Sequence, residues 1–117
     1  WNEEFSKVLR LNVRDDKSGC LQDIHWYGGD FGYFPTYSIG AFIAAQLAFK
    51  VRKEITNFDS NLKKGNFKPI IRWLRENVHS RGNFLKIDEL LKESTEEELN
   101  LKYFESHIID RYVKKEI

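Results

Sequence analysis

The sequence predicts an all-α fold. Apolar residues recur at helical spacing in several separate stretches. The longest apolar run, Ile39 to Phe49, follows a proline well placed to open a helix. The glycine-rich stretch before that proline shows no strand-like alternation.

Each element follows from its residues. Trp1, Phe5, Val8 and Leu9 share one face of an opening helix. Asn12 to Gly19, with Asp15-Asp16 and Ser18-Gly19, reads as a loop. Trp26 to Tyr37 carries Gly28, Gly29 and Gly32 among its aromatics, too many glycines for a stable helix. Pro35 then starts a helix running to about Lys53, apolar enough in its middle to be buried on most sides. Gly40, Ala44 and Ala48 form a small-residue stripe along it that a neighbouring helix could approach. Asp59 could cap a short turn ended by Gly65. Phe67, Ile70, Ile71, Leu74 and Val78 define an amphipathic helix with Pro69 in its first turn and Arg81-Gly82 at its close. Ile87 to Leu91 reads as a further short helix. Thr95 and Asn100 compete to cap the last helix, with Asn100 favoured, and Leu101, Phe104, Ile108 and Tyr112 form its apolar face.

Composition narrows the function classes. The 117 residues suffice for one domain or a piece of a larger one, with 41% hydrophobic, 32% charged and 15% aromatic residues. A net charge of +1 argues against an electrostatic nucleic-acid binder. The aromatic segment could stack on bases, but no basic cluster surrounds it. The single Cys20 excludes an intramolecular disulfide or a cysteine-rich zinc finger and suits a cytoplasmic setting. No apolar run is long enough to span a membrane and no signal peptide is visible. The chain starts at Trp1 and contains no Met, which reads as a trimmed start or a segment of a longer product.

The chemistry concentrates between Gly19 and Gly40, where Gln22, Asp23, His25, Tyr33 and Tyr37 surround three glycines. Glycine permits close backbone approach to a ligand, histidine moves protons near neutral pH, and tyrosine hydroxyls can donate to a developing oxyanion. The residues alone fit two readings: an aromatic turn packed on a core, or a pocket. Tyr33 and Tyr37, four apart, would share one helical face in either. His79 and His107 read as solvated or capping, and Cys20 as a buried, inert thiol. Lys114-Lys115 is a favourable charge at a helix end.

GCLQDIHW satisfies the pattern G-x-x-Q-D-x-H-W at every fixed position, Gly19, Gln22, Asp23, His25 and Trp26, and GYFPTYSIG follows at Gly32 to Gly40. On these residues the chain resembles the Taq-type metallocarboxypeptidases, also called thermostable carboxypeptidases. The resemblance extends upstream to Trp1-Asn2-Glu3 and downstream through the small-residue helix, Ile71 to His79 and the closing helix.

The resemblance implies a helical, zincin-type peptidase that removes single residues from peptide C-termini with Zn2+. Such enzymes hold the metal on an H-E-x-x-H helix plus a later glutamate, where two histidines four apart face one ion. Here His25, His79 and His107 include no such pair. The family's metal site precedes G-x-x-Q-D-x-H-W. Residues 1–117 are therefore expected to be the C-terminal, substrate-side part, with a glycine- and aromatic-rich active-site loop. The zinc ligands would lie outside this chain, and the chain alone would be inactive. Thimet- and angiotensin-converting-type peptidases show a similar order of His, glycine-rich loop and Tyr. By that similarity His25 would bind the substrate backbone or the oxyanion. Tyr37 would be the main oxyanion donor with Tyr33 beside it. Gln22 and Asp23 would serve substrate binding by orienting His25, Asp23 fixing its tautomer. Tyr27 stands where a small residue is commoner, narrowing the pocket mouth or packing on the loop. The implied partner is a peptide C-terminus. Members are commonly dimers, and nothing in the sequence selects a surface for a homodimer. A non-catalytic helical fragment or paralogue that binds a peptide or protein is the other reading that the missing H-E-x-x-H allows.

Overall fold

The computed structural model describes residues 1–114, and these contain helices and loops with no strand. No described helix is long and apolar enough to cross a membrane. The chain divides into two compact units, Trp1–Ser38 and the part from Ile39 onward.

In the first unit, α1 (Asn2–Leu9) ends where Arg10 turns left-handed, at φ 56°. Trp1 and Phe5 stack with ring centroids 4.5 Å apart. Val8 and Leu9 lie on the expected stripe but remain exposed. Residues 10–19 form the expected loop, pinned where Asp15 Oδ1 accepts from both the backbone N–H and the hydroxyl of Ser18, each at 2.7 Å.

The expectation that Trp26 to Tyr37 lies outside any helix is corrected at its start. After a 3-10 turn, Cys20–Gln22, the segment Ile24–Gly28 forms α2. Asp23 caps it by accepting from the His25 N–H, and Gly29 ends it at φ 80°. One helical turn needs only such a cap and such a stop, so the glycines end α2 without preventing it. Cys20 is only half-buried, which corrects the buried thiol.

Pro35 opens α3 (Pro35–Glu54), as its fixed φ suggests. The first turn of α3 belongs to the first unit and the remainder to the second. Burial on most sides is overturned: Ile39 is 43% and Phe49 54% exposed. Gly40, Ala44 and Ala48 are also exposed, and nothing lies within 4 Å of the position a Gly40 Cβ would take. The small-residue stripe therefore has no helix against it among the described residues.

The second unit packs on the other faces of α3. The helices are α4 (Phe58–Lys63), α5 (Lys68–Asn77), α6 (Ile87–Thr95) and α7 (Lys102–Ile108), the last widening into a π-turn at Ile109–Val113. Val51, Trp73 and Leu91 are its buried apolar residues. Phe42 meets Phe104 edge-on at 5.0 Å, and Phe49 meets Tyr103 at 4.8 Å. Trp73 Nε1–H donates to Glu54 at 2.6 Å, and the Ser94 hydroxyl donates to the Asn77 carbonyl at 2.9 Å, occupying an end carbonyl of α5.

Gln46 is 1% exposed and fully bonded. Its Nε2 donates to Thr95 Oγ1 at 2.9 Å and to the carbonyls of Glu97 and Glu98 at 3.3 and 3.1 Å. Its Oε1 accepts from the Asn100 N–H at 2.9 Å. A polar side chain in an otherwise apolar stretch thus fastens α3 to the turn between α6 and α7.

The element ends carry further corrections. Asn57, left-handed at φ 59°, is the N-cap of α4, while Asp59 lies inside its first turn and pairs with Arg52 at 3.3 Å. Gly65 at φ 67° does end that turn. α6 continues past Leu91 to Thr95. Thr95 closes α6, so it cannot cap the last helix. Asn100 Oδ1 accepts from the Lys102 N–H at 3.0 Å, although Leu101 occupies the cap position. The apolar face expected of α7 runs into the π-turn, where Tyr112 is 63% exposed. Lys114 pairs with Asp110 at 3.1 Å, and Lys115 lies outside the described residues.

Candidate active site

The first unit gathers most of the candidate residues around one imidazole. Asp23 is at the N-cap of α2 and His25 in its first turn, so the cap that starts the helix also places a carboxylate beside the ring. Asp23 Oδ1 lies 2.9 Å from the His25 backbone N and 2.6 Å from ring Nδ1. Partial burial acts to raise the Asp23 carboxyl. The hydrogen bonds from the His25 ring and N–H, with the ring's attraction, outweigh it and hold Asp23 below its ordinary range. An ionised carboxylate can only accept, so Nδ1 carries a hydrogen and Nε2 is the free end of the ring.

Nε2 lies 3.4 Å from the Tyr37 hydroxyl, a long contact between groups that are only partly covered. The His25 side chain is 16% exposed and Tyr37 is 57% exposed, so neither is sealed in packing. Tyr33 covers one face of the imidazole, with centroids 5.3 Å apart and planes 28° apart. Phe34 and Tyr37 meet it edge-on at 5.7 Å each. Tyr33 precedes α3, so the shared helical face does not arise, yet its ring still meets Tyr37 at 5.9 Å. The turn into α3 supplies this proximity: Thr36 N–H and Oγ1–H both donate to the Tyr33 carbonyl, at 3.0 and 2.7 Å.

Gln22 is placed differently. Its Nε2 donates to the Lys17 carbonyl at 2.6 Å, and no hydrogen bond joins it to His25 among the described residues. Tyr27 packs on the loop, its hydroxyl donating to the Leu21 carbonyl at 2.8 Å. Phe34, part of the aromatic surround, was not singled out by sequence reasoning. Its place in the fixed GYFPTYSIG stretch was the available signal. His79 and His107 are exposed. Among the described residues no group of three or more His, Cys, Asp or Glu side chains could hold a metal ion.

A bonded carboxylate, an imidazole and a phenol, open on one side, can meet a carbonyl oxygen that gains negative charge. With the hydrogen on Nδ1, Nε2 can donate only when both ring nitrogens carry hydrogen, whereas the Tyr37 hydroxyl can donate in either form.

Carboxypeptidase 1 of Bacillus subtilis is 42% identical over 112 residues, covering 96% of this chain and 22% of the relative. Thermostable carboxypeptidase 1 of Pyrococcus furiosus is 40% identical over 113 residues, covering 97% of this chain and 23% of the relative. The solved structure of Trypanosoma cruzi metallocarboxypeptidase 1 superposes with a TM-score of 0.88 at 44% identity, over 97% of this chain and 24% of that one. The chain thus spans less than a quarter of the length of these relatives. Residues 1–112 match the family model described as Carboxypeptidase Taq (M32) metallopeptidase, and the chain belongs to that family.

Proposed function

We propose that this chain is the C-terminal, substrate-side part of a metallocarboxypeptidase that hydrolyses the C-terminal peptide bond and releases single amino acids. The observation that supports this most is the Asp23–His25 pair at 2.6 Å with the Tyr37 hydroxyl 3.4 Å from the ring's other nitrogen. Family membership supplies the reaction class.

A metallopeptidase family implies a metal ion. Among the described residues no group of three or more His, Cys, Asp or Glu side chains is placed to hold one. The proposal therefore assigns the metal, taken as zinc, to ligands outside this chain and expects no peptidase activity from the chain alone. The remaining parts of the proposal are a peptide C-terminus as partner and a cytoplasmic setting.

The chain's own residues divide the work. Asp23 holds the Nδ1–H of His25 and so orients the ring. His25 Nε2 contacts the substrate backbone, donating to the oxyanion only when it too carries a hydrogen, and the Tyr37 hydroxyl donates to the substrate carbonyl as negative charge develops. Tyr33 covers one face of the ring, and Phe34 and Tyr37 meet it edge-on, which limits how it can turn. Such donors act because they are aimed before reaction begins.

The test is a chimera in which this chain replaces the matching 112 residues of the Bacillus subtilis relative. Release of C-terminal amino acids from a short peptide is expected. Tyr37→Phe should lower kcat on the order of 100-fold or more with little change in KM. Unchanged turnover in that variant removes Tyr37 from the reaction. An inactive but folded chimera, paired with peptide binding by this chain, favours the non-catalytic binding module instead.

A further inference from the structure

The first residue of the G-x-x-Q-D-x-H-W motif sits in a crowded seat. Gly19 is buried. A methyl group on its Cα would lie 2.5 Å from Val13 Cγ1 and 3.2 Å from both Asn2 Oδ1 and the Asp15 carbonyl oxygen. Its φ is −118°, so the requirement for glycine is one of space. Asn2 Oδ1, at the edge of this seat, is a buried oxygen with no hydrogen-bond partner among the described residues.

The seat is joined to the imidazole by a short, continuous run of hydrogen bonds. Gly19 N–H donates to the Asp16 carbonyl at 3.1 Å, and the Gly19 carbonyl accepts from the Gln22 N–H at 3.0 Å. Leu21 N–H donates to the same Asp16 carbonyl at 3.0 Å, and Asp23 N–H to the Cys20 carbonyl at 3.3 Å. Gln22 Nε2 and the Tyr27 hydroxyl tie this turn to Lys17 on one side and to α2 on the other. Asp23 follows directly and holds Nδ1 of His25. The turn Cys20–Gln22 is thus a short lever with Gly19 at one end and the Asp23 carboxylate at the other.

We propose that Gly19, seated against Val13 and Asn2, is a positioning residue for His25, acting through Asp23 to set which ring nitrogen carries the hydrogen. The proposal rests on the reading of His25 as the substrate-facing group, and it deepens that reading by assigning Gly19 a part in the site.

The experiment uses this chain with 15N-labelled histidine. His79 and His107 are replaced by Gln so that one ring reports, and long-range 1H–15N spectra read the tautomer directly. The parent should show Nδ1–H as the dominant neutral form. Gly19→Ala should lower the ratio of Nδ1–H to Nε2–H about tenfold, the scale of one charge-assisted hydrogen bond. Val13→Ala alone should leave the ratio unchanged, and the double variant should restore part of it, because the 2.5 Å clash is relieved while the 3.2 Å contacts to Asn2 and Asp15 remain. If Gly19→Ala does not fold, Val13→Ile presses the same seat from the other side and should shift the ratio by a smaller amount. A folded Gly19→Ala or Val13→Ile with the parental ratio overturns the proposal, and so does a Gly19→Ala shift that Val13→Ala fails to reverse. Should the ratio move as stated while peptide release by the chimera stays constant, the positioning role stands and the functional reading of His25 falls.

Discussion

Replacing Gln46 by Leu probes the polar clamp of the second unit with little change in volume. The substitution removes four hydrogen bonds from a side chain that is 1% exposed. Their loss is unequal. The single Thr95 hydroxyl hydrogen still has the Leu91 carbonyl at 2.8 Å or the Glu97 carbonyl at 3.0 Å to donate to. Glu98 is exposed, so water can reach its carbonyl. The half-buried Asn100 N–H is left with no partner, at a cost of about 1–3 kcal/mol, and the remaining bonds contribute about 1 kcal/mol more. The expected destabilisation is about 3 kcal/mol, offset in part by the apolar gain of leucine, against a total of about 5–15 kcal/mol for a typical domain. Urea unfolding of this chain, followed by tryptophan fluorescence and far-ultraviolet circular dichroism, measures it as a lower midpoint with an unchanged slope. A Gln46→Leu chain as stable as the parent would refute the reasoning. The clamp would then be a polar arrangement with no net effect.

Other expectations follow from the same geometry. Glu97 accepts from Lys102, Tyr103 and Asn100, which push its carboxyl down from 4.5 to about 2. Its folded value is depressed, so its contribution to stability is present above about pH 4.5 and is lost as pH falls through about 2. Glu97→Gln should flatten the dependence of the urea midpoint across that window, and an unchanged acid limb would remove Glu97 as its source. Trp73→Phe should cost about 2 kcal/mol, because the 2.6 Å bond to Glu54 is charge-assisted and Trp73 is 7% exposed; thermal unfolding measures it. Asp23→Asn in the chimera should lower kcat on the order of 100-fold with KM little changed, since an amide can donate as well as accept and so no longer fixes the ring's tautomer. Equal kinetics would separate Asp23 from the reaction.

How much of this was legible in the sequence depends on how local each cause is. Pro35 announces α3 because a proline's φ is set within the residue, and α3 begins there. The adjacency of Asp23 and His25 is likewise local, since a cap residue and the second residue after it meet in any helix start. α2 was missed because three glycines were weighed as helix breakers, while Asp23 and Gly29 act as its start and stop. Gln22 is a different case. Its neighbour Asp23 suggested a common partner, but the intervening 3-10 turn delivers it to Lys17. Gln46 left no periodic signal at all. One polar residue in an apolar run reads as a blemish until residues 49 to 54 positions away are brought to it. The Gly40 stripe was readable as a pattern, but a pattern of small side chains states only that something could come close. What covers it is not encoded in the stripe itself.

The span of the hydrogen bonds around His25 has a kinetic corollary. Asp23 is two positions from the ring it holds and Tyr37 twelve. Closing loops of that size is entropically inexpensive and fast, on the order of 100 ns for ten residues. Thermal opening of the cluster should therefore heal within microseconds, without waiting for distant parts of the chain to re-dock. The same brevity makes the first unit, Trp1–Ser38, a cassette that could be moved between scaffolds with its internal geometry intact, provided that the host offers a helix for Pro35 to begin.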